Sequence, residues 1–595
     1  MLTVPSRINT HLKHRKNDPG MAQNVSSETV VRPGSCDVVM LSSDSNETST
    51  FHSDAGLYRS SGSNLAAERS ASAKIAELKS DPKVRAALEK VPGMKALKLE
   101  TLTKRDIQFG AIGAIEQARM LKDGETSVEE VTRSAIRRAQ AGDHLGFIDR
   151  PLFDGAVAQA KRMDEELKDM GADDREALFA AKPLFGVPTT FKANLPYKGI
   201  PTTYGSQATG RMPQKETAQH LQEYLDIGMI PICTTDTSEF GFNGVTEPVG
   251  SAPTVNPHNT EYTAGGSSGG AAVSVSAGVV AIGLGSDGGG SGRIPASMCG
   301  TLGFKPSRHR WTLLKNAEKN LTNVLNMPAV MTRELSDLTL VAHLLDRGET
   351  KGLKPLPRIT EGYGADKPRV GFYLNAANEE TDPEVIKAVT ETVDEYRAMG
   401  YEVVEVAPPH DQDFETDFLD WYRAIARQTR FALAKDEFSH KLDKILPWRE
   451  ARPDSWVSDP DKLEPFSKGL GDMGLARAMY VKHVGAAQRL NDIHTDNYED
   501  AFQEVAFIIS PTISTPPPKV GELSPARSYE EIIPALKEIA EFATPANAAG
   551  GAAMSIPGKF SRDGLPIGVQ LSAGRGQEEV ILRATQDLVE HRADS

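Results

Sequence analysis

Residues 263–306 decide the reading: TAGGSSGGAAVSVSAGVVAIGLGSDGGGSGRIPASMCGTLGFKP. Two glycine–serine clusters flank an apolar run of small residues. Glycine is entropically costly to order and fills no core. Two such clusters therefore mark backbone that approaches something closely, or that holds conformations other residues cannot. Gly288, Gly289 and Gly290 immediately precede Ser291. Successive glycines let backbone N–H groups turn inward together, and such donors stabilise the oxyanion of a tetrahedral intermediate. A serine directly after them stands where a carbonyl would be attacked. Ser291 does not ionise unaided, so this reading requires a base.

Outward from this stretch, short apolar runs alternate with helical patterns, which predicts an α/β sheet. Residues 369–373 read as a strand, 382–399 as a helix and 402–406 as a strand; 506–510 is a further short strand. Ser127 with Glu130 forms a capping-box pattern ahead of Val128 and Val131. A helix is predicted over 152–167, where Ala156, Ala158 and Ala160 favour it. No internal repeat is present.

Residues 1–72 differ in kind. The first seventeen carry Arg7, Lys13, Arg15 and Lys16 and no acid, and a serine-rich, apolar-poor stretch follows. Such a composition buries too little surface to offset chain entropy, so this segment is expected to be a disordered tail. It lacks the apolar centre of a secretory signal, while an organelle-targeting or export role stays open. The catalytic domain is expected over 73–595, with its core at roughly 100–590.

The 595 residues carry a net charge of −14. That balance argues against nucleic acid as a partner, and no apolar run is long enough to span a bilayer. Three well-separated cysteines, Cys36, Cys233 and Cys299, show neither a disulfide framework nor metal spacing. A reducing compartment, the cytoplasm, is therefore expected. The 13 histidines show no metal spacing either. No metal and no organic cofactor is called for.

The two clusters resemble those of the amidase signature family. In that family a lysine, a serine in the first cluster and a serine in the second form the triad. The first cluster here is Gly265-Gly266-Ser267-Ser268-Gly269-Gly270, and the second is Asp287-Gly288-Gly289-Gly290-Ser291-Gly292-Arg293-Ile294-Pro295. The resemblance maps the bridging serine, preceded by a cis peptide, to Ser267 and the nucleophile to Ser291, 24 residues on. Upstream, Gly186-Val187-Pro188-Thr189-Thr190-Phe191-Lys192 supplies the lysine. Met331-Thr332-Arg333 with Asp337, Thr544-Pro545-Ala546-Asn547 and Gly564-Leu565-Pro566-Ile567-Gly568-Val569-Gln570 match further family motifs in order. The sequence departs from the pattern at Ala193, where aspartate is frequent, and at Gly292, where a bulkier aliphatic residue is frequent.

The resemblance implies one α/β domain, a central twisted mixed sheet covered by helices on both faces. It implies an amidase that cleaves the carbon–nitrogen bond of primary or simple aryl and alkyl amides. Catalysis would fall to Lys192, Ser267 and Ser291, and the oxyanion hole to Gly288, Gly289 and Gly290. Ser268, Asp287 and Arg293 would support them, the last two by bracing the loop. A small-molecule amide is the expected substrate, and a homodimer stays open.

Each residue also has a plainer reading. Ser267 and Ser268 could begin a helix, Asp287 could be a turn residue, and Cys299 a small buried one. Phe240, Trp421 and Tyr422 could be core aromatics or pocket walls, and 414–439 is expected to shape the pocket. Among rival functions, Gly266-Ser267-Ser268-Gly269-Gly270 also fits the nucleophile elbow of an α/β-hydrolase, with Ser268 attacking and His494 or His591 as base. A phosphate-binding loop lacks its Gly-Lys-Ser/Thr ending. An amidotransferase subunit passing ammonia to a partner would carry the same triad. A dead scaffold is disfavoured by the presence of all three triad residue types.

Overall fold

The computed structural model describes residues 61–312, 325–376, 380–410, 412–445, 453–473, 485–490 and 492–595. In chain order its strands are β1 (Ile148–Pro151), β2 (Pro188–Lys192), β3 (Ile230–Thr235), β4 (Val255–Asn256), β5 (Asn259–Thr263), β6 (Ile282–Asp287), β7 (Leu302–Lys305), β8 (Met327–Thr332), β9 (Val370–Phe372), β10 (Val403–Glu405), β11 (Phe507–Pro511), β12 (Ala552–Phe560) and β13 (Pro566–Ala573). Among the described residues, eleven of these form one mixed sheet in the order β1-β3-β2-β6-β8-β7-β12-β13-β11-β9-β10. β4 and β5 pair separately as a hairpin. Met1–Ser63 is one unit, nearly all outside the described residues, and Asn64–Ser595 is the other, which carries the sheet.

β2 runs parallel to both β3 and β6, while β6 to β13 pair antiparallel through β8, β7 and β12. Every residue of β2, β6 and β13 is buried. Strands buried on both faces require cover on both faces, and helices supply it here. The expected mixed α/β sheet is therefore present.

The local expectations hold with small shifts. The predicted strands and helices appear as β9, Pro383–Ala398, β10, β11 and Phe153–Lys168. Asp382 caps the first of these helices, its side chain accepting from the Glu384 N–H. The capping box at Ser127 is half formed. Ser127 Oγ accepts from the Glu130 N–H at 3.0 Å, but the Glu130 carboxylate accepts from Thr126 Oγ1 instead. At the other boundary the helix Ser61–Ser80 begins before residue 72, where Leu65, Ala66, Ala67, Glu68 and Arg69 are good helix formers. The rest of the expected tail lies outside the described residues. Among the described residues no helix is long and apolar enough to cross a membrane.

Candidate active site

Lys192 ends β2 and Asp287 ends β6, and because these strands are parallel neighbours both ends open on the same side of the sheet. This is the crevice at strand C-termini where open α/β sheets place ligands. Lys192 is fully buried. Its Nζ lies 2.7 Å from Ser267 Oγ and 3.1 Å from Ser286 Oγ. Asn194 Nδ2 donates to the same Ser286 hydroxyl at 2.9 Å. Burial pushes the Lys192 amine down to about 7, against the opposing pull of the Asp287 carboxylate. A lysine so placed is substantially neutral near neutral pH, so it can accept a proton.

Ser267 is buried, and the Gly266–Ser267 peptide is cis. The Ser268 N–H donates to the Ser291 carbonyl at 3.1 Å, which ties the two glycine–serine clusters together. The Ser268 hydroxyl donates to the Ser286 carbonyl at 3.1 Å and accepts the Ser286 N–H. It is spent on stitching the loop to β6, and it does not cap the helix Gly269–Ser276 that follows. In the elbow reading Ser268 would need a histidine partner, and among the described residues its hydroxyl bonds only the Ser286 backbone. His494 Nε2 is bonded to Asp417 at 3.0 Å, and His591 lies in the last turn of the C-terminal helix.

Asp287 and Arg293, both buried, hold the second cluster in shape. Arg293 Nε donates to Asp287 Oδ2 at 2.9 Å and Nη2 to Oδ1 at 3.0 Å. Nη1 reaches Gln570 Oε1 at 2.7 Å and Nη2 reaches Asn547 Oδ1 at 2.6 Å. Asn547 Nδ2 in turn donates to the Asp287 carbonyl at 2.8 Å. Burial alone would push the Asp287 carboxyl up, but the Arg293 guanidinium holds it well below the ordinary carboxylate range. Asn547 and Gln570 belong to motifs visible in the sequence, yet their part in this network needs the three-dimensional fold. Ser286 and Asn194 carry no local sequence signal of a role. Only the β2–β6 register, which sets Phe191 opposite Leu284, places Ser286 beside Lys192.

Gly290 departs from the expectation of an oxyanion donor. Its N–H already donates to Asp287 Oδ1 at 2.7 Å. Its φ of 106° suits only glycine, and a Cβ there would lie 2.6 Å from the Ala543 Cβ. Gly290 is thus the point at which the loop turns, whereas Gly288, Gly289, Ser267 and Ser291 line one cavity.

The long helix Gln412–Ile445 forms one wall of that cavity with residues from Phe414 to Ile425, so only the first part of the expected 414–439 segment lines it. Phe418, Trp421 and Tyr422 face it, together with Phe240. Ile533 and Leu536 of the helix Tyr529–Ala540 contribute aliphatic surface. Glu415 and Lys537, one from each helix, form an ion pair at the cavity. Cys233 and Cys299 are buried free thiols whose pKa burial pushes up, which makes Cys299 a packing residue.

Known proteins resemble the chain in sequence and in fold. A Mycobacterium leprae protein assigned by name as an amidase, AmiC, is 29% identical over 492 residues, covering 82% of this chain and 96% of its own. A glutamyl-tRNA(Gln) amidotransferase subunit of Geobacter metallireducens is 29% identical over 482 residues, covering 78% and 94%. A solved 6-aminohexanoate cyclic dimer hydrolase in complex with substrate superposes with a TM-score of 0.65 at 23% identity, covering 81% and 97%. The sequence profile named Amidase matches residues 130–582, which takes in most of the chain and every residue of the site above. The protein therefore belongs to the amidase signature family, and it is an amide hydrolase.

Proposed function

We propose that the chain hydrolyses amides through an acyl-enzyme on Ser291, with Lys192 as the resting base and Ser267 as the proton relay. The observation that carries this is the buried Lys192 amine, 2.7 Å from Ser267 Oγ and lowered to about 7. Neutral Lys192 takes the Ser267 proton while Ser267 takes that of Ser291. Ser291 Oγ attacks the amide carbonyl and the C=O electron pair moves to oxygen. The N–H groups of Gly288, Gly289 and Ser291 stabilise that oxyanion. As the C–N bond breaks, the relay runs backwards and Ser267 protonates the leaving nitrogen. Water then attacks the ester by the same route, releasing the acid and restoring Ser291.

The substrates are primary, aryl or alkyl amides, and the apolar walls favour an apolar acyl group over a small polar one. The likeness to an amidotransferase component supports a second reading, release of ammonia from glutamine for a partner. The aromatic lining of the cavity weighs against it. The buried free thiols support a reducing compartment such as the cytoplasm.

The test is ammonia release from benzamide, indole-3-acetamide, a long-chain amide and glutamine, by wild type, Ser291→Ala and Lys192→Ala. The expected result is release from the apolar amides that disappears in both variants while their circular dichroism stays native. Release that survives Ser291→Ala would refute the mechanism. Release from glutamine alone would select the amidotransferase reading.

A further inference from the structure

The glycine loop is not open on all sides. A Cβ placed on Gly289 would lie 2.8 Å from Phe418 Cζ and 3.4 Å from Thr544 Cγ2. The tip of the Phe418 ring therefore bears on the α-carbon of a residue that lines the cavity beside Ser291. Phe414, Phe418 and Tyr422 recur every four residues on one helix, a spacing that puts them on one face. Their rings stack in sequence, Phe414 on Phe418 at 6.1 Å and Phe418 on Tyr422 at 6.3 Å between centroids. Trp421 adds a third contact to Phe418 at 5.1 Å. Phe414 and Trp421 are buried, so the Phe418 ring is backed by packed side chains. Removing such a backed ring opens room beside Gly289.

We propose that Phe418 is the residue that selects the acyl group: its ring bounds the space beside Gly289, admitting flat or unbranched apolar acyl groups and excluding those branched next to the carbonyl. This rests on Ser291 as nucleophile, because it assigns the acyl group to the space between Ser291 and the glycine loop. A flat acyl group stacks along the ring column, whereas a tertiary carbon beside the carbonyl meets the ring tip. The Glu415–Lys537 ion pair and Glu541 also line the cavity, and an apolar acyl group leaves the ion pair intact.

The test uses p-nitrophenyl acetate, benzoate and pivalate with wild type, Phe418→Ala, Phe418→Leu and Phe418→Trp. Phe418→Ala is expected to raise the pivalate-to-acetate ratio of kcat/KM by about tenfold or more, the lower end of the scale set by one methylene group of pocket space. Phe418→Trp is expected to lower the benzoate-to-acetate ratio. Phe418→Leu gives the same direction as alanine at smaller scale and serves if the alanine variant does not fold. Ratios unchanged in all variants, with the three esters falling together, would overturn the proposal, because the ring would then only brace the loop. Turnover surviving Ser291→Ala would instead refute the nucleophile, and the ester ratios would still show whether Phe418 bounds the acyl site.

Discussion

The buried amine of Lys192 makes a prediction about both rate and stability. Its pKa falls from 10.5 to about 7. The amine must be neutral to accept a proton, so kcat/KM rises with pH through about 7 and drops about tenfold per unit below it. The same change acts on folding. The folded pKa lies below the unfolded one, so between pH 7 and 10.5 the unfolded chain binds more protons and stability rises with pH. At and below pH 7 the full penalty stands, about 5 kcal/mol, since each pH unit between 10.5 and 7 is worth about 1.36 kcal/mol. Lys192→Met removes that penalty but leaves Ser267 without its lysine partner and Ser286 with Asn194 alone, a cost of about 1–3 kcal/mol. The variant should be inactive and more stable at pH 7 by about 2–4 kcal/mol, measured by urea unfolding. Lys305 is the control, since burial also lowers it to about 7 and it bonds the backbone carbonyls of Pro306 and Gly551. Lys305→Met should flatten the pH dependence of stability while leaving the acid limb of the rate in place. Asp236, raised by burial to about 7, Asp337, raised by burial to about 6, and Glu464, raised by burial beside Glu239, are competing groups. An ammonium limb moves with temperature and a carboxyl limb hardly does. A rate that does not fall as pH is lowered from 8 through 7, or a limb that ignores temperature, would refute the reasoning.

Gly290→Ala places a Cβ 2.6 Å from Ala543 and 2.7 Å from Ile294 Cδ1 at a φ of 106°. It should cost about 1–3 kcal/mol and abolish fluorophosphonate labelling of Ser291, read by thermal unfolding and peptide mass. Arg293→Met strands the Asp287 carboxylate in a dry site and should destabilise by about 3–5 kcal/mol in urea unfolding, with Arg293→Lys recovering only part because lysine lacks the planar fork.

Much of the candidate site is legible because it is contiguous in sequence. The two glycine–serine clusters and the Gly-Val-Pro-Thr-Thr-Phe-Lys run are local patterns, and the family resemblance they carry picks out Lys192, Ser267 and Ser291. What is not legible depends on which strands become neighbours. Ser286 reaches Lys192 only because β2 and β6 pair, and Asn547 and Gln570 reach Arg293 from the C-terminal part of the chain. In sequence Gly290 looks like its two predecessors, and only its dihedral angle and its bond to Asp287 separate it from them. Asp337 reads locally as part of a helix entry. In the fold it accepts the N–H groups of Ala114 and Ile115, at the start of a helix that lies far earlier in the chain. The pocket is legible as a segment and not as a geometry, since ring stacking depends on the phase of one long helix.

Asp287 shows how charge and burial oppose each other in the site. Its carboxylate stabilises the ammonium form of Lys192 and so works against burial. Yet the loop needs a carboxylate, because Asp287 accepts the N–H of Gly290 and of Gly292 as well as two bonds from Arg293. No neutral side chain offers that many acceptor positions in so small a volume. Arg293 holds Asp287 ionised, and at Lys192 burial outweighs the pull of that carboxylate. The Asp287–Arg293 pair therefore shapes the glycine loop, while burial keeps the amine of a lysine within the field of a carboxylate low enough to accept a proton.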